Sequence, residues 1–216
     1  MKKNQWMLGV VLLAFVALLV TASLLYGGLS QENAPDNLII EDHATMTAAP
    51  DATANGDTVT NPAVTAPTAT TAPADVTAPD FTVLDREGNS VRLSDHFGQG
   101  KPIIINFWAS WCGPCQSEMP EFEDAYLKYA DDITFLLINV TDGSRETVDT
   151  ARSFIDGKGY TFPIYFDTTL EASMMYGASS IPLTYFLDEH GTLIARGAGA
   201  LDAETLQRGI DMVLPK

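Results

Sequence analysis

The chain of 216 residues has very little cysteine and histidine. Its only two cysteines, Cys112 and Cys115, are separated by a Gly-Pro pair, and Gln116 follows them. There are three histidines, without ligand spacing: His43, His96 and His190. A structural zinc site takes four Cys or His ligands, and covalent haem attachment needs Cys-x-x-Cys-His. The sequence therefore predicts neither a metal site nor a cofactor.

Positive charge is absent from a long N-terminal stretch, with no Lys or Arg between Lys3 and Arg86. Within it, residues 6–26 form an uncharged run rich in Leu, Val and Ala. As a helix this run would span roughly 30 Å, the thickness of a bilayer core. Residues 1–26 are therefore predicted to be a cytoplasmic start and a single transmembrane anchor, with the rest of the chain outside the cytoplasm. A cleaved signal peptide is the alternative, but its apolar region is usually only ~7–15 residues long.

Large apolar side chains are scarce in residues 27–80, which contain no Phe, Trp or Tyr before Phe81. Ala, Thr and Pro fill 26 of the 36 positions in residues 44–79. Such a segment cannot offset its ordering entropy, so residues 27–80 are predicted to be a disordered acidic tether. A glycosylated stalk is a second interpretation. Residues 81–216 are long enough for one domain with a core.

The net charge is −16, of which −10 lies in residues 81–216. This excess of acid excludes a nucleic-acid partner, because phosphates would repel it. Solubility alone is a sufficient explanation of the charge.

Apolar patterns in residues 81–216 predict an α/β domain. The runs "KPIIINFWA" and "ITFLLINV" are typical of strands buried on both faces. The segment "DFTVLDREGNSVRLSDHFG" predicts two short strands, and "PLTYFLDEHGTLIARGAG" predicts a hairpin. Helices are predicted in residues 115–130, from Ser144 to about Gly157, in residues 168–177, and after the N-cap Asp202. Strands that alternate with helices before a final hairpin indicate a mixed sheet flanked by helices.

The spacing of Cys112 and Cys115 favours redox chemistry. A disulfide that closes so short a loop would add almost no stability. Cys112 lies where a buried strand ends and a helix begins, so backbone N–H groups and the helix dipole favour its thiolate. Cys115 lies one helical turn further, close enough to attack and resolve a mixed disulfide formed at Cys112. Trp111 either packs in the core or shields the sulfur and shapes a docking surface.

The motif "FWASWCGPC" resembles the active site of thioredoxins. Together with "APDFTVLDREGNSVRLSD" and "SSIPLTYFLDEHG", it is similar to the membrane-anchored TlpA/ResA group. The resemblance implies a thioredoxin-like fold with an N-terminal β-hairpin and a central α/β insertion between Val140 and Ile181. It also implies a cis peptide bond at Pro182, with Ile181 and Pro182 beside the disulfide as substrate-binding residues. Trp111 is added to the predicted substrate-binding residues because it lies next to Cys112.

Two positions depart from ordinary thioredoxins, which have a buried aspartate where this chain has Asn106. By resemblance to ResA-like members, Glu118 is assigned as the proton acceptor that activates Cys115. The alternative is a first-turn glutamate that complements the helix dipole. The Gly-Pro pair is that of thioredoxin, whose potential is roughly −270 mV, and it favours a reductase.

The sequence thus predicts an extracytoplasmic, membrane-tethered thiol-disulfide oxidoreductase that reduces disulfides in partner proteins. Resemblance suggests apocytochrome c as a substrate and a membrane thiol donor of the CcdA or DsbD type. Two alternatives stay open: an oxidase that donates its disulfide to secreted proteins, and a non-enzymatic tethered module that binds client peptides at Pro182.

Overall fold

The computed structural model describes residues 37–40 and 77–214. The eight strands are β1 Leu38–Ile40, β2 Thr82–Leu84, β3 Ser90–Arg92, β4 Ile103–Trp108, β5 Thr134–Asn139, β6 Ile164–Phe166, β7 Leu183–Leu187 and β8 Leu193–Ala198. The helices are α1 Gly113–Tyr129, α2 Val148–Lys158, α3 Glu171–Met175 and α4 Ala203–Val213, and Leu93–His96 forms a 3-10 turn.

The strands form one mixed sheet in the order β1-β8-β7-β4-β5-β6-β2-β3. Strands β4, β5 and β6 are parallel neighbours, and the other pairs are antiparallel. Strands β2 and β3 form the predicted N-terminal hairpin, and α2, β6 and α3 lie between β5 and β7 as the predicted insertion. The predicted thioredoxin-like fold is therefore confirmed.

Strand β4 is buried on both faces, as its continuous apolar run predicts, and its side chains divide between two cores. Ile104 and Trp108 pack with residues of α1, α2 and α4. Ile103, Ile105 and Phe107 pack on the opposite face with the hairpin and α3. Because β4 and β5 are parallel, Trp108 pairs with Asn139 and the two strands end at the same edge. The loops that follow these strands therefore meet, and they carry the cysteine motif and the segment before α2.

The structure differs from the predicted tether at two short pieces. Leu38–Ile40 pair with β8, and Leu38 is buried against the core. Near the other end, Thr77 pairs with Thr192, and the Ala78 N–H donates to the Gly191 carbonyl. Composition missed both pieces because each is too short to change the average composition of a polar segment. The remaining tether residues lie outside the described part of the chain.

Helix α2 begins later than predicted from Ser144. The Asp142 carboxylate accepts hydrogen bonds from the N–H groups of Ser144 and Glu146, which holds residues 142–146 in a loop. Thr147 then caps the helix in a reciprocal pair with Thr150. This side-chain competition for backbone N–H groups is the reason for the displaced start.

No helix within residues 37–40 and 77–214 is long and apolar enough to cross a membrane. The predicted anchor at residues 6–26 lies outside those ranges.

Candidate active site

Cys112 is the N-cap of α1, directly after the loop that leaves β4. Its Sγ accepts a hydrogen bond of 3.2 Å from the backbone N–H of Cys115. Gly113 and Pro114 complete the first turn, where the missing N–H of proline has no cost. The hydrogen bond from the Cys115 N–H and the positive end of the helix dipole both favour a thiolate at Cys112.

Cys112 and Cys115 form a disulfide, with their Cα atoms 5.2 Å apart. Cys115 is fully buried, whereas Cys112 keeps 4 % of its surface exposed. Trp111, the residue before Cys112, is 39 % exposed, so the motif is open to solvent on the Cys112 side. An incoming sulfur therefore reaches Cys112 before Cys115.

The loop before β7 lies against the disulfide. The Ile181–Pro182 peptide bond is cis, as the resemblance implies. The Ile181 carbonyl oxygen lies 3.7 Å from the Sγ of Cys112. The geometry thus brings Ile181 and Pro182 to the redox pair, and substrate binding by these residues stays a prediction.

Glu118 is buried beneath the motif, one turn of α1 after Cys115. The amide of Asn106 donates a 2.8 Å hydrogen bond to its Oε1, and the backbone N–H of Leu201 donates a 2.9 Å bond to its Oε2. The same amide nitrogen donates to the hydroxyl of Thr184 at 3.0 Å. Glu118 therefore touches the residue that replaces the usual thioredoxin aspartate.

Burial raises the pKa of Glu118 to about 8, and the hydrogen bonds from Leu201 and Asn106 only partly oppose this shift. A carboxyl with this pKa exchanges its proton near neutral pH, close to the ordinary pKa of a thiol, ~8.5. A surface glutamate that merely complements a helix dipole would be solvated. The burial of Glu118 therefore favours the proton-transfer role, which stays a prediction.

A second buried carboxyl, Glu146, holds the loop that carries the cysteines. Its Oε1 accepts hydrogen bonds from the Ser110 N–H at 3.0 Å and the Asn139 amide at 2.7 Å. Its Oε2 accepts a 2.7 Å bond from the Ser110 hydroxyl. Three donors thus converge on one side chain with no exposed surface. The sequence analysis missed Glu146; its only signal was a position just after β5, at the edge where β4 also ends.

Arg145, beside Glu146, covers the exposed tryptophan of the motif. Its guanidinium carbon lies 3.6 Å from the centroid of the Trp111 ring. Trp111 therefore does not pack in the core, and of its two predicted roles the surface one fits its position.

This geometry has counterparts among known proteins. The sequence profile of the AhpC/TSA family matches residues 74–196, more than half of the chain. The chain belongs to the AhpC/TSA family. The chain is 33 % identical over 133 residues to the thioredoxin-like protein YneN of Bacillus subtilis, a match that covers 62 % of this chain and 76 % of YneN. It is 30 % identical over 138 residues to the thiol-disulfide oxidoreductase ResA of Halalkalibacterium halodurans, covering 63 % of this chain and 75 % of ResA.

Solved structures of the same kind share the fold. StoA from Bacillus subtilis superposes with a TM-score of 0.53 at 28 % identity, covering 63 % of this chain and 98 % of StoA. A thiol:disulfide interchange protein DsbE from Chlorobium tepidum gives 0.56 at 27 % identity, covering 64 % and 96 %. With the Cys112–Cys115 disulfide, these relatives confirm the predicted activity: the protein is a thiol-disulfide oxidoreductase of the ResA, DsbE and StoA type.

Proposed function

We propose that this family member reduces disulfides in partner proteins outside the cytoplasm while anchored to the membrane by residues 6–26. The observation that carries the proposal is the placement of Cys112 at a helix N-terminus above a buried carboxyl with a pKa of about 8. The Gly-Pro pair between the cysteines supports the reducing direction, since it is the pair of thioredoxin, a reductant at roughly −270 mV.

The exchange has two steps. The Cys112 thiolate attacks one sulfur of the substrate disulfide, which forms a mixed disulfide and releases one substrate thiolate. The Cys115 thiolate then attacks the Sγ of Cys112, which releases the second substrate thiol and forms the Cys112–Cys115 disulfide. Two electrons pass to the substrate, and the protein ends oxidised.

Glu118 accepts the proton of Cys115 in the second step. The Asn106 amide serves both charge states of the carboxyl. In the orientation described above, its nitrogen donates to an ionised Glu118. Its Oδ1 is buried and accepts no hydrogen bond from the described residues. A half-turn of the amide brings that oxygen to a protonated Glu118, which then donates to it.

Renewed turnover needs a dithiol donor, because the chain has no cysteine besides Cys112 and Cys115. Resemblance to the TlpA/ResA group favours a membrane protein of the CcdA or DsbD type as donor and apocytochrome c as one substrate. Both identities are part of the proposal.

Trapping of the mixed disulfide tests the proposal. Cys115→Ala leaves Cys112 without its resolving thiol, so we expect covalent complexes that appear on nonreducing gels and disappear with dithiothreitol. Cys112→Ala is the matched control and forms none. Trapped partners that face the cytoplasm, or a complete lack of complexes, would contradict the proposal.

The equilibrium with glutathione tests the direction. We expect a potential close to that of thioredoxin, roughly −270 mV. A potential near that of DsbA, about −120 mV, would support the alternative of a disulfide-donating oxidase.

A further inference from the structure

A cation is held on the residue that precedes the attacking cysteine. The guanidinium of Arg145 stacks on Trp111, the residue before Cys112. A guanidinium over an indole face is an attractive arrangement with a defined geometry. Trp111 is exposed and directly precedes Cys112, so the charge of Arg145 lies on the exposed surface next to the motif.

The backbone that carries Arg145 is fixed to the same motif. Its neighbour Glu146 accepts hydrogen bonds from the N–H and the hydroxyl of Ser110, two residues before Cys112. Asp142 accepts bonds from the N–H groups of Ser144 and Glu146, which closes the loop on the other side of Arg145. The loop and the cysteine motif therefore form one unit, and Arg145 is held at a set place in it.

The charge of Arg145 is not neutralised by contact. Within the part of the chain that the structure describes, Arg145 is not a member of a contact ion pair, whereas Arg86 and Arg92 pair with aspartates. The Asp142 carboxylate interacts electrostatically with Arg145 without forming a contact ion pair, and it accepts hydrogen bonds from the N–H groups of Ser144 and Glu146. The Glu146 carboxyl accepts its hydrogen bonds from Ser110 and Asn139. Elsewhere the domain is acidic, with −10 over residues 81–216. An acidic substrate would be repelled by most of this surface and attracted at the motif.

We propose that Arg145 is a specificity-determining residue of the exchange, and that it favours substrates with a carboxylate next to the disulfide. The carboxylate approaches the guanidinium while Cys112 attacks the neighbouring sulfur, so the attraction acts in the encounter and in the mixed disulfide. The proposal rests on exchange at Cys112, and neither the direction in the cell nor the membrane anchor enters it.

Single-turnover reduction of three small disulfides tests it. Pre-reduced protein is mixed with dithiodipropionate, hydroxyethyl disulfide or cystamine, which are an anion, a neutral molecule and a cation of similar size. Acid quenching and thiol labelling then give the rate of Cys112–Cys115 formation. A unit charge about 6 Å from the reacting group changes an encounter by about threefold in water, so Arg145→Gln should lower the anion-to-cation rate ratio by about tenfold at low salt. The neutral disulfide should change little.

Three further variants sharpen the result. Arg145→Lys keeps the charge and should retain most of the ratio, and Arg145→Glu should invert it. Arg92→Gln changes the net charge equally, but Arg92 is an exposed residue on β3, at the far edge of the sheet from the motif, and should leave the ratio unchanged. About 0.5 M salt should shrink every difference.

The outcomes are distinct. If Arg145→Gln changes all three rates by one factor, Arg145 acts on the Cys112 thiolate and the proposed specificity is wrong. If Arg92→Gln lowers the ratio as much as Arg145→Gln does, the effect belongs to net charge and the proposal is also wrong. If the wild type reduces none of the three, exchange at Cys112 itself fails.

Discussion

Glu118 makes the stability of the fold depend on pH. Burial raises its pKa from 4.5 to about 8, so the folded protein holds a proton that the unfolded chain releases. The stabilisation from this protonated group is complete below pH 4.5 and is lost as the pH rises through 8. By the size of the shift, the loss between these limits is up to about 5 kcal/mol.

Glu118→Gln removes the titrating proton. We expect the free energy of unfolding of the oxidised protein to fall from pH 5 to pH 8.5 in the wild type and to stay nearly level in the variant. Urea titrations across this range measure both curves. Glu121→Gln, at a partly exposed position on the same helix, is the control and should follow the wild type. Parallel curves for wild type and Glu118→Gln would show that Glu118 titrates as a solvated carboxyl.

Glu146 is predicted to be a positioning residue for Cys112. Gln at this position is neutral, so the bonds from the Ser110 N–H and the Asn139 amide become weaker, and the Ser110 hydroxyl must accept from an NH₂ group where it now donates to an oxygen. Glu146→Gln should therefore cost about 1–3 kcal/mol of stability. The loop before Cys112 should also lose its fixed place, so the rate at which Cys112 reacts with iodoacetamide, and its pH profile, should change. Thermal unfolding and alkylation of the reduced protein measure the two effects.

Glu123→Gln is the matched control, since the Glu123 carboxylate accepts the same kinds of bonds from Thr161 and Phe162, away from the motif. It should cost stability without altering the reactivity of Cys112. If Glu146→Gln alters stability alone, Glu146 only supports the fold.

Among the helices and strands, the predictable ones were those with a strong local signal. Strand β4 has a continuous apolar run, and α4 has Asp202 as an N-cap, which accepts from the Thr205 N–H. The sequence did not predict structure that depends on contacts with residues distant along the chain. Leu38–Ile40 become a strand only because β8 offers an open edge, and Glu146 is buried only because Ser110 and Asn139 meet it. For the same reason, the sequence showed the cysteine motif and Glu118 but not the loop that supports them.

Strand β1 is predicted to stabilise the edge of the sheet. A domain that starts at residue 41 loses the buried Leu38 and the bond that the Ala198 N–H donates to the Asn37 carbonyl. Compared with a domain that starts at residue 37, it should be less stable by about 1–3 kcal/mol. Urea unfolding measures the difference, and hydrogen exchange of the Ala198 amide should accelerate in the shorter form.

A domain that starts at residue 30 is the control, and its free energy of unfolding and Ala198 amide exchange should equal those of the domain that starts at residue 37. Equal stability and equal exchange for all three starts would mean that β1 is not bound to β8 in solution.

At the scale of the whole molecule, the redox state and the stability of the fold are linked. The difference in unfolding free energy between the oxidised and reduced forms equals the difference in potential between the folded and unfolded cysteine pair, at about 1.4 kcal/mol per 30 mV. DsbA is a strong oxidant because its reduced form is the stabilised one. The direction of electron flow is therefore measurable from the whole fold.

A reductase should show the opposite order from DsbA. We expect the oxidised protein to unfold at a higher urea concentration than the protein in dithiothreitol, because the Gly-Pro pair favours a thioredoxin-like potential and a stable disulfide. A variant with Cys112→Ala and Cys115→Ala should unfold equally with and without dithiothreitol, which controls for the reagent. If the reduced form is the more stable one, the protein donates disulfides, and the proposed direction must be reversed while the exchange chemistry at Cys112 stands.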